Sequence, residues 1–132
     1  HFLEHVENFE LFMKEIYRVL KKGGKKIGTV PHFSNPYFYS DYTHHNFFGL
    51  YTFSYFSKSK YFKREVPSFY NSTDFKINNI KIEFKSPFFI RNILKQFWSR
   101  IFNFSKYLQE FYEGSLCYII PAYEIRFELE KI

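Results

Sequence analysis

The sequence predicts a single α/β domain, and three patterns lead to that fold class. An amphipathic helical pattern over residues 9–20 is followed by a Gly-Gly turn and a short β-prone run at 26–30. Two later segments, 75–84 and 123–130, alternate apolar and polar residues, as strands with one exposed face do. A chain of 132 residues is long enough for one domain.

The first helix is predicted from apolar residues at spacings of three and four. These residues are Phe9, Phe12, Met13, Ile16, Val19 and Leu20. Asn8 is expected to cap its start. Gly23-Gly24 is expected to end it, because glycine adopts the left-handed conformation without a Cβ penalty. The following run predicts a buried strand that ends at Pro31. Because α/β units place ligands at the carboxyl ends of strands, the residues after Val30 are expected to line a site.

From Pro31 to about Ser57 the sequence has neither a helical nor a strand period, and it is rich in Phe, Tyr and His. Such rings need something to pack on. The aromatic loop 33–56 is therefore interpreted as a lid over an apolar or sugar acceptor, with hydrophobic filler as the alternative. A further loop is expected as far as Asp74.

The last third of the chain predicts a strand, two helices and a strand. In 75–84, Ile80, Ile82 and Phe84 fall on one face. Helical spacing then predicts two helices that meet near Asn103. Their apolar residues are Ile90, Ile93, Leu94, Phe97, Trp98, Ile101, Leu108 and Phe111. These helices could cap the site, mediate a homodimer or lie on a membrane surface. Pro121 precedes the terminal strand.

Composition excludes several classes of protein. Nineteen Lys and Arg against thirteen Asp and Glu give a net charge of +6, and 45% of the residues are hydrophobic. That content excludes intrinsic disorder, and no apolar run approaches the roughly 20 residues of a transmembrane helix. The positive charge is dispersed, so nucleic acid is not expected as a partner. A single cysteine, Cys117, excludes an intrachain disulfide, and a cytoplasmic location without a signal peptide is predicted.

The first 33 residues resemble the second half of class I S-adenosylmethionine-dependent methyltransferases of type 11. The signature of that group is an LEH, a helix ending in E-x-x-RVLKPGG and a strand ending in Val-Pro. The matching residues are Leu3-Glu4-His5, Glu15, Arg18-Val19-Leu20, Gly23-Gly24 and Val30-Pro31. Lys22 stands where the family usually has proline.

Two later segments also resemble members of this family. Asp41-Tyr42-Thr43-His44, followed by Phe47-Phe48, is similar to the D-P-T-H-x-x-F-F element of bacterial members that act beside polysaccharide or glycan genes. Tyr42 replaces the proline of that element. The segment from Ile120 to Leu129 is similar to their closing strand.

The resemblance implies the C-terminal half of a Rossmann-like class I methyltransferase fold. Residues 1–31 would hold a strand exit, a helix and strand 5, and residues 32–74 the aromatic substrate loop. Residues 75–132 would hold the antiparallel last two strands with a helical insert between them. The family's glycine-rich cofactor turn and its ribose-binding acidic residue have no counterpart here. The N-terminal cofactor-binding half is therefore expected to be absent, and this chain alone is expected to be inactive.

The implied activity is methyl transfer from S-adenosylmethionine to an O or N nucleophile of a small molecule or glycan. Phe2, Leu3 and His5 correspond to residues that flank the methionine part of the cofactor. Three histidines are candidate catalytic residues, because transfer to a hydroxyl requires a proton to leave: His5, His32 and His44. The candidate substrate-binding residues are Phe33, Tyr37, Tyr39, Asp41 and Phe48.

Two alternatives to a metal-independent methyltransferase remain. His1, Glu4 and His5, with His44, could form an N/O metal site, but His at position 1 departs from the E-x-x-E-H spacing of metal-dependent RNA methyltransferases. No metal is therefore predicted. A non-catalytic aromatic and basic binding module, or a methyltransferase remnant, is the other class of function.

Overall fold

A computed structural model describes residues 1–67 and 70–132. Ser68 and Phe69, which belong to the predicted 32–74 loop, lie outside the described residues. The strands are β1 (Lys25–Pro31), β2 (Phe75–Glu83) and β3 (Glu124–Lys131), and the α-helices are α1 (Phe9–Val19), α2 (Phe89–Phe102) and α3 (Lys106–Ser115). Short 3-10 helices span Leu3–His5, Phe38–Ser40 and Thr52–Phe56. None of the described helices is long and apolar enough to cross a membrane.

The three strands form one antiparallel sheet in the order β1-β3-β2. The predicted mixed α/β character is confirmed, and so is the antiparallel pairing of the last two strands with helices between them. β3 is central, and its Ile125, Phe127 and Leu129 are buried as the period-two pattern predicts. The core therefore sits on the central strand.

Helix α1 begins as predicted but ends earlier. The Asn8 side chain accepts a hydrogen bond from the Leu11 N–H, which confirms the N-cap. The helix ends at Val19, which is 64% exposed and does not belong to the buried stripe. Gly23, with φ +78°, lies in the tight turn that follows, where the Gly24 N–H donates to Lys21 O. The glycines thus form the turn into β1 and do not cap α1.

Replacing Lys22 by proline is expected to stabilise the protein by about 0.4–1 kcal/mol, because proline restricts the unfolded chain. Lys22 holds the position before a positive-φ glycine, where proline is common in type II turns. The hydrogen bonds of the turn come from the N–H groups of Gly23 and Gly24, so proline removes neither. Urea denaturation would measure the gain, and a decrease in the free energy of unfolding would show that Lys22 lacks the required φ.

The prediction that residues 26–30 form a buried strand is wrong, because β1 is an edge strand. Ile27 is 60% exposed, and only Val30 and Pro31 are buried in this strand. A short apolar run occurs in both edge strands and central strands, so the sequence pattern could not show which of the two β1 would be. Pro31, which has no N–H to donate, is suited to an edge position.

The other edge strand, β2, has its outer backbone groups bonded to side chains. The Asn103 side chain donates to Ile82 O and accepts from the Ile82 N–H. Gln109 donates to Ile80 O, and Tyr61 accepts from the Ile80 N–H. A bulge between Ile77 and Asn79 shifts the strand register, so that Ile77 and Ile80 are both buried despite their odd spacing.

The two predicted helices are confirmed, with their junction at Asn103. The buried residues are Ser99, Phe102, Gln109 and Tyr112. Five of the apolar residues that predicted the helices are exposed, namely Ile90, Ile93, Leu94, Phe97 and Phe111. Apolar spacing identified the helices, but it could not identify which side would pack on the strands.

Raising the pH above about 10, the usual tyrosine pKa, is expected to destabilise the fold. Burial raises the pKa of Tyr51, Tyr61 and Tyr112 in the folded chain. These groups ionise more easily when unfolded, so the stability they contribute is complete below their unfolded pKa and is lost as the pH rises through their folded pKa. Tyrosinate absorbance, followed together with circular dichroism, checks this. Tyr112→Phe should lessen the loss, whereas ionisation of all tyrosines before unfolding would contradict the prediction.

Candidate functional site

The loop after β1 is hydrogen-bonded to the first residues of the chain. The backbone N–H groups of His45 and Asn46 donate to Glu4 O at 2.7 and 3.2 Å. The Asn46 side chain donates to Leu3 O at 2.9 Å and to Val6 O at 2.6 Å. These bonds place the Asp41 to His44 segment against the Leu3–His5 turn.

A hydrogen-bond chain orients His5. The Thr43 hydroxyl donates to Asp41 Oδ1 at 2.5 Å and lies 3.0 Å from His5 Nδ1. Since its proton is directed at Asp41, its oxygen accepts from His5 Nδ1–H, and the Nε2 of neutral His5 keeps a free lone pair. The Thr43 hydroxyl and N–H hold the pKa of Asp41 below its ordinary value. His5 is 38% exposed, so an acceptor can reach Nε2.

His44 lies beside His5, and a hydrogen bond from its Nδ1 orients its ring. Its Nδ1 donates to Phe38 O at 2.8 Å, and its ring centroid is 4.8 Å from that of His5. The remaining nitrogen, Nε2, is 3.4 Å from Asp41 Oδ2. The structure therefore brings together two of the three predicted catalytic histidines.

Glu4 lies close to both histidines and is 1% exposed. Its Oε1 is 3.3 Å from His1 Nδ1 and 3.9 Å from His5 Nε2. Its Oε2 is the one buried side-chain N or O atom among the described residues that has no hydrogen-bond partner. A buried carboxylate oxygen without a partner is costly, because burial removes its water.

The third predicted histidine, His32, lies in the core. It is 0% exposed and accepts from the Ser34 N–H at Nδ1, so its proton is on Nε2, 3.1 Å from Glu113 Oε2. Phe33 stacks on its ring at 4.4 Å. Because the imidazole of His32 is fully buried, a methyl acceptor in solution cannot reach it.

Glu4, His5 and His44 together form the histidine cluster. A cleft of about 750 Å³ opens next to this cluster. Its lining includes His1, Tyr37, Lys85, Tyr123 and Glu124. His1 Nε2 is 2.6 Å from Glu124 Oε2, while its Nδ1 faces Glu4, so His1 lies between the cleft and the cluster. Clefts of this size accommodate small ligands.

The other predicted site residues divide between surface and core. Phe2 is 60% exposed with its ring 5.5 Å from Phe12, and Tyr39 is 62% exposed. Leu3 is buried and offers only its backbone. Phe48 is fully buried against Phe9 and Phe53. It therefore contributes to the core and is not accessible to a substrate.

Thr43 and Asn46 hold the site together but were not among the site residues predicted from the sequence. Thr43 lies inside the Asp41–His44 motif, and its spacing of two residues from Asp41 was the available signal, since an Asp side chain commonly bonds the N–H two residues on. That bond is present at 2.9 Å. No sequence signal indicated that Asn46 would bridge to Leu3 and Val6.

Among the described residues, none of the glycines forms a cofactor-binding turn. Phe2 and His5, which are predicted to contact the cofactor, are both exposed. A glycine cradle for the cofactor follows a strand and opens a helix. The five glycines do not do this: Gly23 and Gly24 join α1 to β1, Gly28 packs under Phe127, Gly49 faces Glu113, and Gly114 lies within α3.

A family model described as a methyltransferase domain matches residues 1–27. Searches of curated proteins and of solved structures found no match. The matched segment contains the Leu3–His5 turn, α1 and the start of β1, together with Glu4 and His5 of the histidine cluster. Residues 1–27 are therefore similar to part of a methyltransferase domain.

Proposed function

We propose that this chain is the C-terminal half of an S-adenosylmethionine-dependent methyltransferase acting on an oxygen or nitrogen nucleophile of a small molecule or glycan. The family match supports methyl transfer in general. The observation that carries the finer proposal is the chain of hydrogen bonds from Asp41 through Thr43 to His5, which leaves a reachable imidazole nitrogen within the family-like segment.

The proposed base is His5. When bound, the cofactor supplies an electrophilic methyl group on a sulfonium. Nε2 of His5 takes the proton that an acceptor hydroxyl loses, while Thr43 and Asp41 hold the required tautomer. Phe2 and His5 contact the methionine end, and the glycine-rich turn is expected upstream of this chain. Holding the reactants in line supplies much of the rate.

The proposed acceptor site is the cleft beside His1. Tyr37 and Tyr123 place their rings 6.4 Å apart there, and aromatic faces stack on sugars and on apolar rings. Lys85 and Glu124, joined at 2.6 Å, supply polar groups for acceptor hydroxyls. Tyr39 and Phe33 extend the aromatic surface of the same loop. A cytoplasmic location belongs to this proposal as well.

Calorimetry with S-adenosylmethionine tests the proposal. We expect no binding by the 132-residue chain and binding by a form extended upstream through a glycine-rich turn. In the extended form, His5→Ala should weaken binding about tenfold, the loss of about one hydrogen bond to a charged group. His45→Ala is the matched control, because His45 is an exposed neighbour outside the hydrogen-bond chain.

Two results would contradict the proposal. The first is an upstream reading frame without a strand and glycine-rich turn, or an extended form that does not bind the cofactor. The second concerns the base: Thr43→Val should lower kcat with little effect on KM and should shift the pH profile, since valine cannot hold the His5 tautomer. A variant with unchanged kcat would exclude the proposed relay.

A further inference from the structure

We infer that Glu4, His5 and His44 form a binding site for a divalent transition-metal ion of the zinc class. The three side chains each offer one ligand atom, and these atoms all lie within 4.8 Å of one another. Ligands on a tetrahedral zinc ion, with bonds of about 2.0–2.1 Å, lie about 3.3 Å apart. Small side-chain rotations are therefore enough to bring the three atoms to coordinating distance.

The orphaned oxygen of Glu4 is the first independent support. A carboxylate that is 1% exposed, with Oε2 unpartnered among the described residues, has given up water without full compensation. A cation bound between Glu4 and the two imidazoles would compensate that loss. The neighbouring His1 does not fill this role, because it contacts Oε1 and is bonded to Glu124 through its other nitrogen.

The orientation of the two histidines is the second support. A metal-binding imidazole commonly donates its non-coordinating N–H to a carbonyl, or towards a carboxylate, and this bond fixes the tautomer. His44 donates Nδ1–H to Phe38 O at 2.8 Å. His5 donates Nδ1–H to the Thr43 hydroxyl, which is itself bonded to Asp41. When neutral, both rings thus keep an unprotonated Nε2; that of His5 is 3.9 Å from Glu4 Oε1, and that of His44 is 3.4 Å from Asp41 Oδ2.

The donor set indicates the class of ion. Two imidazole nitrogens and one carboxylate oxygen suit Zn²⁺, Co²⁺ or Mn²⁺, whereas Mg²⁺ prefers oxygen ligands and retains its water. His5 is 38% exposed, so the fourth position can be open to water or to an acceptor hydroxyl. A bound ion would lower the pKa of such a hydroxyl and so promote the proton loss otherwise assigned to His5.

Metal titration of the 132-residue chain tests the site without any assay of activity. We expect Zn²⁺ to bind at one equivalent in calorimetry and to raise Tm, and Co²⁺ to give the visible absorption bands of a tetrahedral site. Mg²⁺ should give neither effect. His44→Ala and Glu4→Gln should each weaken Zn²⁺ binding more than tenfold, and Thr43→Val about 10–100-fold, as loss of a supporting bond does.

His45→Ala is the matched control, since it removes the adjacent exposed histidine and should leave binding unchanged. Equal binding by His44→Ala and Glu4→Gln, equal binding of Mg²⁺, or loss of binding in His45→Ala would each overturn the inference. If His44→Ala does not fold, His44→Gln replaces it, and Glu4→Gln decides independently. The inference does not depend on methyl transfer: cofactor binding does not require His44, and metal binding does not require an upstream half.

Discussion

Replacing Phe127 by alanine is expected to lower the free energy of unfolding by about 3–5 kcal/mol, the range for truncating a buried phenylalanine. Phe127 is 1% exposed at the centre of β3, and its ring centroid is 4.0 Å from that of Phe53. The ring also covers Gly28, its partner in β1. Removing it opens a cavity between the strand and the aromatic loop, and the lost contacts cannot be replaced by water.

Gly28 provides a second variant that tests this geometry. A Cβ added at Gly28 would lie 2.8 Å from the Phe127 ring, so Gly28→Ala alone should destabilise the protein. In the Phe127→Ala background the clash disappears, and the added methyl group partly fills the cavity. Urea denaturation of the two single variants and the double variant should therefore give a favourable coupling energy. Strict additivity would contradict the packing of Phe127 over Gly28.

Replacing Glu113 by alanine is expected to cost about 3 kcal/mol or more, because each buried donor left without a partner costs about 1–3 kcal/mol. Glu113 Oε2 accepts from His32 Nε2 at 3.1 Å and from the Leu50 N–H at 2.7 Å. Both donors belong to buried residues, and they join α3 to the loop after β1. The variant should therefore loosen that loop as well as lower the stability.

Thermal and urea denaturation measure the loss, and hydrogen exchange at Leu50 reports the loop directly. Glu113→Gln should lose less, because its amide oxygen can still accept from one donor. Glu15→Ala is the control, since Glu15 forms an exposed pair with Arg18 and such pairs contribute little. Equal stability of the Glu113 and Glu15 variants would show that His32 and Leu50 find other partners.

Local signals in the sequence identified most of the secondary structure. The Asn8 cap, the period of α1 and the alternation in β3 depend on near neighbours, and each was found in the structure. The errors arose where packing decides. Ile27 is exposed because β1 is an edge strand, and α2 buries Phe102 while Ile90 stays exposed, a choice made by contacts distant in sequence.

The candidate site was predictable only in part, for the same reason. The resemblance singled out His5, and Asp41 and His44 were predicted from their motif, but the contact between the two segments depends on Asn46, for which no pattern existed. His32 was selected by its place after a strand, yet its neighbours Ser34 and Glu113 hold it in the core. Burial and tautomer follow from tertiary contacts, which a local motif does not specify.

The two edges of the sheet differ in whether they can accept another strand, and this limits how copies of the chain could associate. Side chains of Asn103 and Gln109 already occupy backbone groups of β2. Among the described residues, no side chain is bonded in this way to the outer backbone groups of β1. Two copies that joined β1 to β1 would present outward the β2 edges, whose Ile80 and Ile82 backbone groups are already bonded to side chains. These bonds would oppose the addition of further strands beyond such a pair, and so would oppose growth of the sheet into a fibril.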